Sequence, residues 1–276
     1  MIIFFHQLPF TNPFDSINIP MITKRPFRSV PSASLLFLLV ASPILISGKK
    51  SSDSGDNTTQ SAVISISAGI KSAKELIVDE AYALYDSMKL KRFGLSKQAF
   101  EFAWKGYKTL LEEGKVHKKQ ILSICDFSQS SRRKRLYILD VSEKKVLVNT
   151  YVAHGRRSGG EYARSFSNNP ESHKSSLGFY ITRKTYFGGH GLALTIDGVE
   201  KGINDKADER NIVIHGSEYV GADFLRGNKF NGRSYGCPAV PAKETNKVIN
   251  TIKGGSCLFI YHPTKNYIDK SKILND

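Results

Sequence analysis

The sequence predicts an α+β protein whose larger part is mainly β, preceded by a helical hairpin. Apolar residues recur at helical spacing between about Ser72 and Gly114. From Ile121 onward they instead alternate with period two, in short runs separated by polar and glycine-rich turns. A single helix candidate interrupts these runs near the end of the chain, and this arrangement is typical of a β-rich domain.

The first 70 residues carry no such pattern. Residues 1–48 are predicted to be an upstream extension followed by an export signal, with translation starting at Met21. A positively charged stretch over 21–28 precedes an apolar stretch over 33–47, which is the order found in signal peptides. The apolar stretch is shorter than the roughly 20 residues of a membrane helix, so no stable span is expected after cleavage. An uncleaved short anchor is the alternative. Residues 49–70, rich in Ser, Asp and Thr, are predicted to be a disordered linker.

Residues 71–118 are predicted to form the helical hairpin. In the first helix, apolar positions follow i, i+3, i+4 and i+7 spacing from Leu76 to Met88, and we expect this element to end at Gly94. Ser96 is a plausible N-cap for the second helix, which we expect Gly114 to end. The sequence leaves open whether the hairpin packs on the following domain or forms a separate accessory unit.

Residues 119–265 are predicted to be the β-rich domain, and 266–276 a C-terminal tail. The glycine- and serine-rich region 154–176 is too long for a plain turn, so we expect it to be functional or mobile. The predicted helix covers 242–252, and the predicted strands cover 121–127, 135–141, 145–152, 179–183, 192–196, 211–215 and 256–261.

The formal net charge of +15 indicates a basic surface, which attracts polyanions such as nucleic acid, anionic lipid or an acidic cell-wall polymer. The only dense basic run covers 131–135, and we expect it to be a solvated turn before a strand. No basic-aromatic motif accompanies it, so nucleic acid is not a predicted partner.

The cysteines differ in their surroundings. Cys125 and Cys257 lie in strand-like apolar runs and are expected to be buried. Cys237 follows a glycine in a segment with little strand pattern, and His215 ends the apolar run 212–214. A histidine close to a cysteine can take the thiol proton, so Cys237 and His215 form a candidate nucleophile–base pair. No two cysteines, and no cysteine and histidine, have metal-ligand spacing, so no metal is predicted.

Acyl transfer also needs donors for the developing oxyanion. Gly236 allows close backbone approach, so the amides of Tyr235, Gly236 and Cys237 are candidate donors. Ser234 is a candidate either to orient the imidazole or to bind substrate. No acid can be assigned to orient His215, and a backbone carbonyl is the alternative.

Three further residues are candidates for binding substrate. Arg233 is placed to meet a carboxylate of the substrate, and His190 and His154 lie in glycine-rich stretches that are candidates to line the cleft. The alternatives are a solvated arginine and two ordinary loop histidines.

The segments Ile212–Gly216 and Ser234–Cys237 resemble the His-Gly and Ser/Thr-His-Gly-Cys signature of the L,D-transpeptidases, in particular the murein L,D-transpeptidase catalytic-domain branch. Further similar stretches are 153–156, 166–168, 175–180, 200–204 and 255–261, so the resemblance covers roughly residues 120–265. Two positions depart from the broader family. Tyr235 stands where a histidine is frequent, and Pro238 follows the cysteine.

This resemblance implies a β-rich catalytic fold and a ping-pong reaction on peptidoglycan stem peptides. Cys237 would attack the amide between a diamino acid and the terminal D-alanine of a stem tetrapeptide, with His215 acting as base and then as acid. An amine from a second stem would resolve the thioester into a 3→3 cross-link. The resemblance implies no metal or organic cofactor, and the export signal predicts a location in the periplasm or cell wall.

Two alternatives stay open at this point. With water as acceptor, the same fold would act as an L,D-carboxypeptidase or amidase. A non-catalytic wall-binding protein would use the basic surface alone. The sequence makes no prediction of oligomeric state.

Overall fold

The computed structural model describes residues 72–189 and 191–275, whose centre is an eight-stranded mixed sheet. The strand order is β3-β2-β1-β8-β4-β5-β6-β7. The β1/β8 and β6/β7 pairs are parallel, and the other neighbours are antiparallel. The predicted α+β class is confirmed. The strands are β1 (Ile121–Asp126), β2 (Leu136–Asp140), β3 (Lys145–Thr150), β4 (Gly178–Gly188), β5 (Gly191–Gly198), β6 (Val213–Ser217), β7 (Ala239–Pro241) and β8 (Cys257–Tyr261).

Two longer helices and a short one precede the sheet: α1 (Ala73–Ser87), α2 (Leu90–Phe93) and α3 (Lys97–Glu112). Ser72 caps α1 in a capping box with Glu75. The first helix does not continue to Gly94 as predicted, because Lys89 adopts a left-handed backbone conformation between α1 and α2. Ser96 caps α3 as predicted.

The helices pack directly on the sheet. Gly106 of α3 lies so close to β4 that a Cβ there would fall 2.0 Å from a ring carbon of Phe179. Phe100 and Trp104 of α3 belong to the same buried cluster as the sheet residues. Of the two arrangements left open by the sequence, the structure shows the hairpin packed on the β-rich part of the chain.

Three strands differ most from the sequence prediction. Strand β6 covers Val213–Ser217 rather than 211–215, so His215 lies in the middle of the strand instead of at its end. Strand β7 was missed, because three residues that end in a proline are too short to show a period. Strand β4 is longer than predicted, and its outer half pairs only with β5, so that Phe187 is 84% exposed near the hairpin tip.

The basic run before β2 is not wholly solvated, so that prediction is wrong at Arg135. Residues 132–134 are exposed, whereas Arg135 is fully buried. Its guanidinium donates to the carbonyl of Val152 at 3.1 and 2.9 Å, and to the carbonyl of Gln129 at 2.7 Å. These carbonyls replace the water that a charged side chain would otherwise need.

The C-terminal residues pack against the domain rather than extending from it. They form α6 (Lys265–Ile268) and α7 (Lys272–Asn275), which follow α4 (Ala222–Leu225) and α5 (Thr245–Ile252) in the chain. The buried carboxylate of Glu200 accepts from the Phe179 amide at 2.7 Å, from the Tyr267 hydroxyl at 3.2 Å and from the Ser271 hydroxyl. This carboxylate therefore ties the end of the chain to β4.

The predictions for the first 70 residues, including the export signal, lie outside the described residues. Among the residues that the structure describes, no helix has both the length and the apolar character needed to cross a bilayer.

Candidate active site

Strand β6 positions His215 in the interior of the sheet. It lies between β5 and β7, with Ala193 opposite His215 on one side and Ala239 on the other. Side chains two residues apart in a strand point to the same face, so Val213 and His215 share one face, roughly 6–7 Å apart. The imidazole is 5% exposed.

The thiol of Cys237 lies beside this strand. The backbone N–H of Val213 donates to Sγ at 3.5 Å, and Sγ lies 3.6 Å from the carbonyl oxygen of Asn211. Cys237 also comes two residues before Ala239, the residue paired with His215. The structure therefore brings the two residues of the predicted pair to the same part of β6.

Burial raises the pKa of the Cys237 thiol above its usual range, although the Val213 amide and the nearby Arg210 guanidinium act in the opposite direction. A thiol with a raised pKa is mostly neutral at neutral pH, so a nearby base is needed to make it an effective nucleophile.

A backbone carbonyl lies where it can orient the imidazole. Nδ1 of His215 is 3.0 Å from the carbonyl oxygen of Gly216. A carbonyl only accepts hydrogen bonds, so this contact requires a proton on Nδ1, and in the neutral ring the lone pair is then on Nε2. His215 in this tautomer can act as a proton acceptor. Of the orienting groups that the sequence left open, this contact supports the backbone carbonyl.

Residues 234–237 form a tight turn, here called the nucleophile turn. The buried hydroxyl of Ser234 donates to the carbonyl of Cys237 at 2.6 Å and accepts from the amide of Gly236 at 3.1 Å. Gly236 has φ of 129°, and a Cβ there would lie 2.9 Å from the carbonyl oxygen of Lys174. Ser234 thus holds the shape of the turn. Because the Gly236 amide already has a partner, it is not an available oxyanion donor in this conformation.

The region 154–176 supports the nucleophile turn. The amide of Arg156 donates to the Ser234 carbonyl at 2.7 Å. The hydroxyl of Ser175 donates to the Gly236 carbonyl at 3.1 Å and accepts from the Gly155 amide at 3.0 Å. Sequence reasoning missed Ser175, because a serine in a serine-rich loop carries no local signal.

His154 was predicted to contact substrate, and its burial contradicts that prediction. The side chain is fully buried, with Nδ1 2.8 Å from the guanidinium of Arg135 and Nε2 3.4 Å from the Gly159 carbonyl. Burial, and then the Arg135 charge, lower the pKa of His154 to about 3. His154 is therefore a neutral interior residue. His190 lies outside the described residues.

Tyr235 lies at the surface, in contact with His173 and Arg156. Its ring is 64% exposed and meets the edge of His173 at a centroid distance of 4.7 Å. Its hydroxyl accepts from Arg156 at 3.3 Å. Tyr235 lines two cavities. One, of about 370 Å³, is lined in part by Asn211 and Arg210, and the other, of about 510 Å³, by Arg156 and Arg233.

Arg210 is the second residue that sequence reasoning missed. Its guanidinium donates to the carbonyls of Lys174 at 2.6 Å and Ser167 at 2.8 Å. Its positive charge favours the thiolate form of Cys237.

Within residues 72–189 and 191–275, no group of three or more His, Cys, Asp or Glu side chains is arranged so that it could bind a metal ion.

The thiol of Cys237 is half-buried and lies beside the strand that carries His215, whose Nδ1 contacts a backbone carbonyl. Together they define a candidate cysteine–histidine acyl-transfer site on a β-rich sheet. Residues 91–261 match the family described as the L,D-transpeptidase catalytic domain, and this span is more than half of the chain. The chain therefore belongs to that family. The matched span begins within α2 and includes α3, which agrees with the close packing of α3 on the sheet.

Three solved structures are similar to this chain at low identity. An L,D-transpeptidase from Mycobacterium smegmatis is 9% identical, with 52% of this chain and 59% of that chain covered and a TM-score of 0.32. The helical cell shape determining protein Pgp2 from Campylobacter jejuni is 14% identical, with 58% and 54% covered and a TM-score of 0.35. An L,D-transpeptidase from Xylanimonas cellulosilytica is 14% identical, with 66% and 93% covered and a TM-score of 0.31.

The chain spans less than two thirds of the first two of these structures. Among curated proteins, none matches the chain significantly.

Proposed function

We propose that this protein is an exported peptidoglycan L,D-transpeptidase that uses Cys237 as its nucleophile. The observation that carries the proposal is the position of the Cys237 sulfur beside β6. The same strand carries His215, whose Nδ1 is within hydrogen-bond distance of the Gly216 carbonyl oxygen. Membership of the L,D-transpeptidase family supports peptidoglycan stem peptides as substrates. The amino-terminal signal pattern supports export to the periplasm or cell wall.

The acylation step follows from the proton positions. Nε2 of His215 takes the thiol proton as Sγ attacks the carbonyl carbon between the diamino acid and the terminal D-alanine. The backbone amides of Tyr235 and Cys237 are the donors proposed for the oxyanion, because the Gly236 amide is engaged by Ser234. The imidazolium then returns the proton to the leaving nitrogen. The C–N bond breaks, D-alanine leaves and a thioester remains on Cys237.

In the second half-reaction an acceptor amine attacks the thioester carbon. His215 removes a proton from that amine and gives it to the departing sulfur, so the thiol is regenerated and a 3→3 cross-link is formed. No step requires a metal or an organic cofactor.

Intact-mass spectrometry tests this proposal. Incubation with a synthetic stem tetrapeptide should give a Cys237 adduct of tripeptide mass together with free D-alanine, and an added diamino-acid amine should convert the adduct into a cross-linked product. The Cys237→Ala protein should give neither. D-alanine release by Cys237→Ala at the wild-type rate would exclude Cys237 as the nucleophile. Hydrolysed tripeptide as the sole product, even with excess amine, would identify a carboxypeptidase instead.

A further inference from the structure

A cavity next to the nucleophile turn is unusually rich in uncompensated positive charge. Its volume is about 510 Å³, and its walls include Arg156, Arg233 and Lys229 together with the rings of Phe230 and Tyr235. We call it the cationic cavity. It touches the nucleophile turn directly, because Tyr235 is one of its walls and lies two residues before Cys237. Two residues along a chain are separated by at most roughly 7 Å.

The two arginines are held by neutral partners. Arg156 donates to the Tyr235 hydroxyl at 3.3 Å, and its guanidinium carbon lies 5.3 Å from the centre of that ring. Arg233 donates to the Gly159 carbonyl at 3.1 Å and lies 5.6 Å from the Phe230 ring. Stacking on a ring and one hydrogen bond fix each guanidinium while leaving other N–H groups for a ligand.

Among the described residues, no Asp or Glu lines the cationic cavity. Within the described residues, none of Arg156, Arg233 and Lys229 forms a salt bridge. The carboxylate of Asp223, next to the cavity residue Phe224, is already paired with two other cations outside the cavity.

We propose that the cationic cavity binds a carboxylate of the peptide substrate and so sets the direction in which the peptide lies across Cys237. Two planar guanidinium groups match the geometry of a carboxylate, which each can bind through paired N–H donors. The terminal carboxylate of the D-alanine and an internal carboxylate of the stem peptide share this chemistry. The inference rests on the proposed function, since it concerns how the same substrate is held.

Binding to the Cys237→Ala protein tests this inference without requiring turnover. The affinity of a free-acid stem tetrapeptide is measured by calorimetry for that protein and after adding Arg156→Met, Arg233→Met or Lys229→Met. Each change should raise Kd at least about fivefold at low salt, because a hydrogen bond to a charged group is lost, and less at high salt. Thermal unfolding of each variant checks that it is folded.

The matched control is Arg226→Met. Arg226 is an exposed arginine of the same segment that does not line the cavity, and its charge is paired with Asp223 at 2.6 Å. Its removal should change Kd less than twofold, because a surface pair contributes little.

Two amidated peptides identify the bound carboxylate. One is amidated at the terminal D-alanine and the other at an internal carboxylate. For one of these peptides, the affinity of the Cys237→Ala protein should fall, and adding Arg156→Met or Arg233→Met should no longer raise Kd.

The inference would be overturned if the substitutions raised Kd by the same factor for both amidated peptides as for the free-acid peptide. It would also be overturned if the substitutions raised Kd no more than Arg226→Met does, or if the free-acid peptide did not bind. Loss of binding to an anionic polymer with no change in peptide affinity would also overturn it and would favour a polyanion-binding surface. Failure of the proposed function would look different, because the peptide would bind in the cavity without forming any adduct on Cys237.

Discussion

The hydroxyl of Ser234 is the sharpest test of how the nucleophile turn is built. In Ser234→Ala, the Cys237 carbonyl loses a donor at 2.6 Å and the Gly236 amide loses an acceptor at 3.1 Å. Ser234 is 3% exposed, so water replaces these partners poorly. An unsatisfied buried group costs about 1–3 kcal/mol, so two groups cost about 2–6 kcal/mol, and we expect the lower end of that range, a loss of about 2 kcal/mol in unfolding free energy.

Urea and thermal unfolding measure that loss, which corresponds to a decrease in Tm of about 4–8 °C for a domain of this size. The rate of Cys237 alkylation by iodoacetamide as a function of pH is measured in parallel. A loosened turn should lower the alkylation rate while the pH midpoint stays within about half a unit, since Ser234 carries no charge toward the thiol. Ser165→Ala, at a half-buried serine on another loop, is the control and should cost less than about 0.5 kcal/mol.

The opposite pattern would refute this reasoning. If Ser234→Ala left the unfolding free energy unchanged and shifted the pH midpoint by a full unit, the hydroxyl would act on the imidazole–thiol pair. Its role would then be the orienting one that the sequence left open.

Three further outcomes are expected. Gly106→Ala should destabilise the protein by about 1–3 kcal/mol in thermal unfolding, because the new methyl group meets the Phe179 ring, whereas Gly227→Ala meets no atom within 4 Å and should be tolerated. Burial raises the pKa of Glu200, so the folded state holds that proton more tightly than the unfolded state, and stability should fall relative to Glu200→Gln as pH rises above about 4.5 in urea titrations. Burial lowers the pKa of His154 to about 3, so the unfolded state takes up the proton first and stability should fall relative to His154→Gln as pH drops from about 6.5 toward 4. If the stability of the wild-type protein changed with pH in the same way as that of Glu200→Gln or His154→Gln, the predicted direction for that residue would be wrong.

The cysteine–histidine pair was predicted from local pattern. An apolar run that ends in His215 is a strand signal, and Cys237 stands out from Cys125 and Cys257 because its neighbours lack that signal. The structure shows the same difference between the cysteines, since Cys125 and Cys257 are buried and Cys237 is half-buried. Local pattern also predicted the change from helices to short strands, because period and capping residues are properties of neighbouring positions.

The surroundings of the pair were decided by contacts between distant parts of the chain. The sequence could not indicate that Ser175 reaches the Gly236 carbonyl, or that Arg210 lies near the thiol. It also placed His154 in the cleft, whereas Arg135, from an apparently solvated basic run, turns inward and fixes that histidine in the interior. Burial of a polar side chain depends on partners supplied by other segments, and no local period reports them.

Residue type and neighbouring pattern are local properties, so they indicate which residues of this chain are able to do chemistry. How these residues are held depends on contacts that form only in the folded chain. The carbonyl of Gly216 lies against Nδ1 of His215, and the hydroxyl of Ser234 closes the nucleophile turn. The first contact depends on the backbone geometry that the pairing of β6 with its neighbouring strands imposes, and the second needs a hydroxyl at position 234 as well as the fold of the turn.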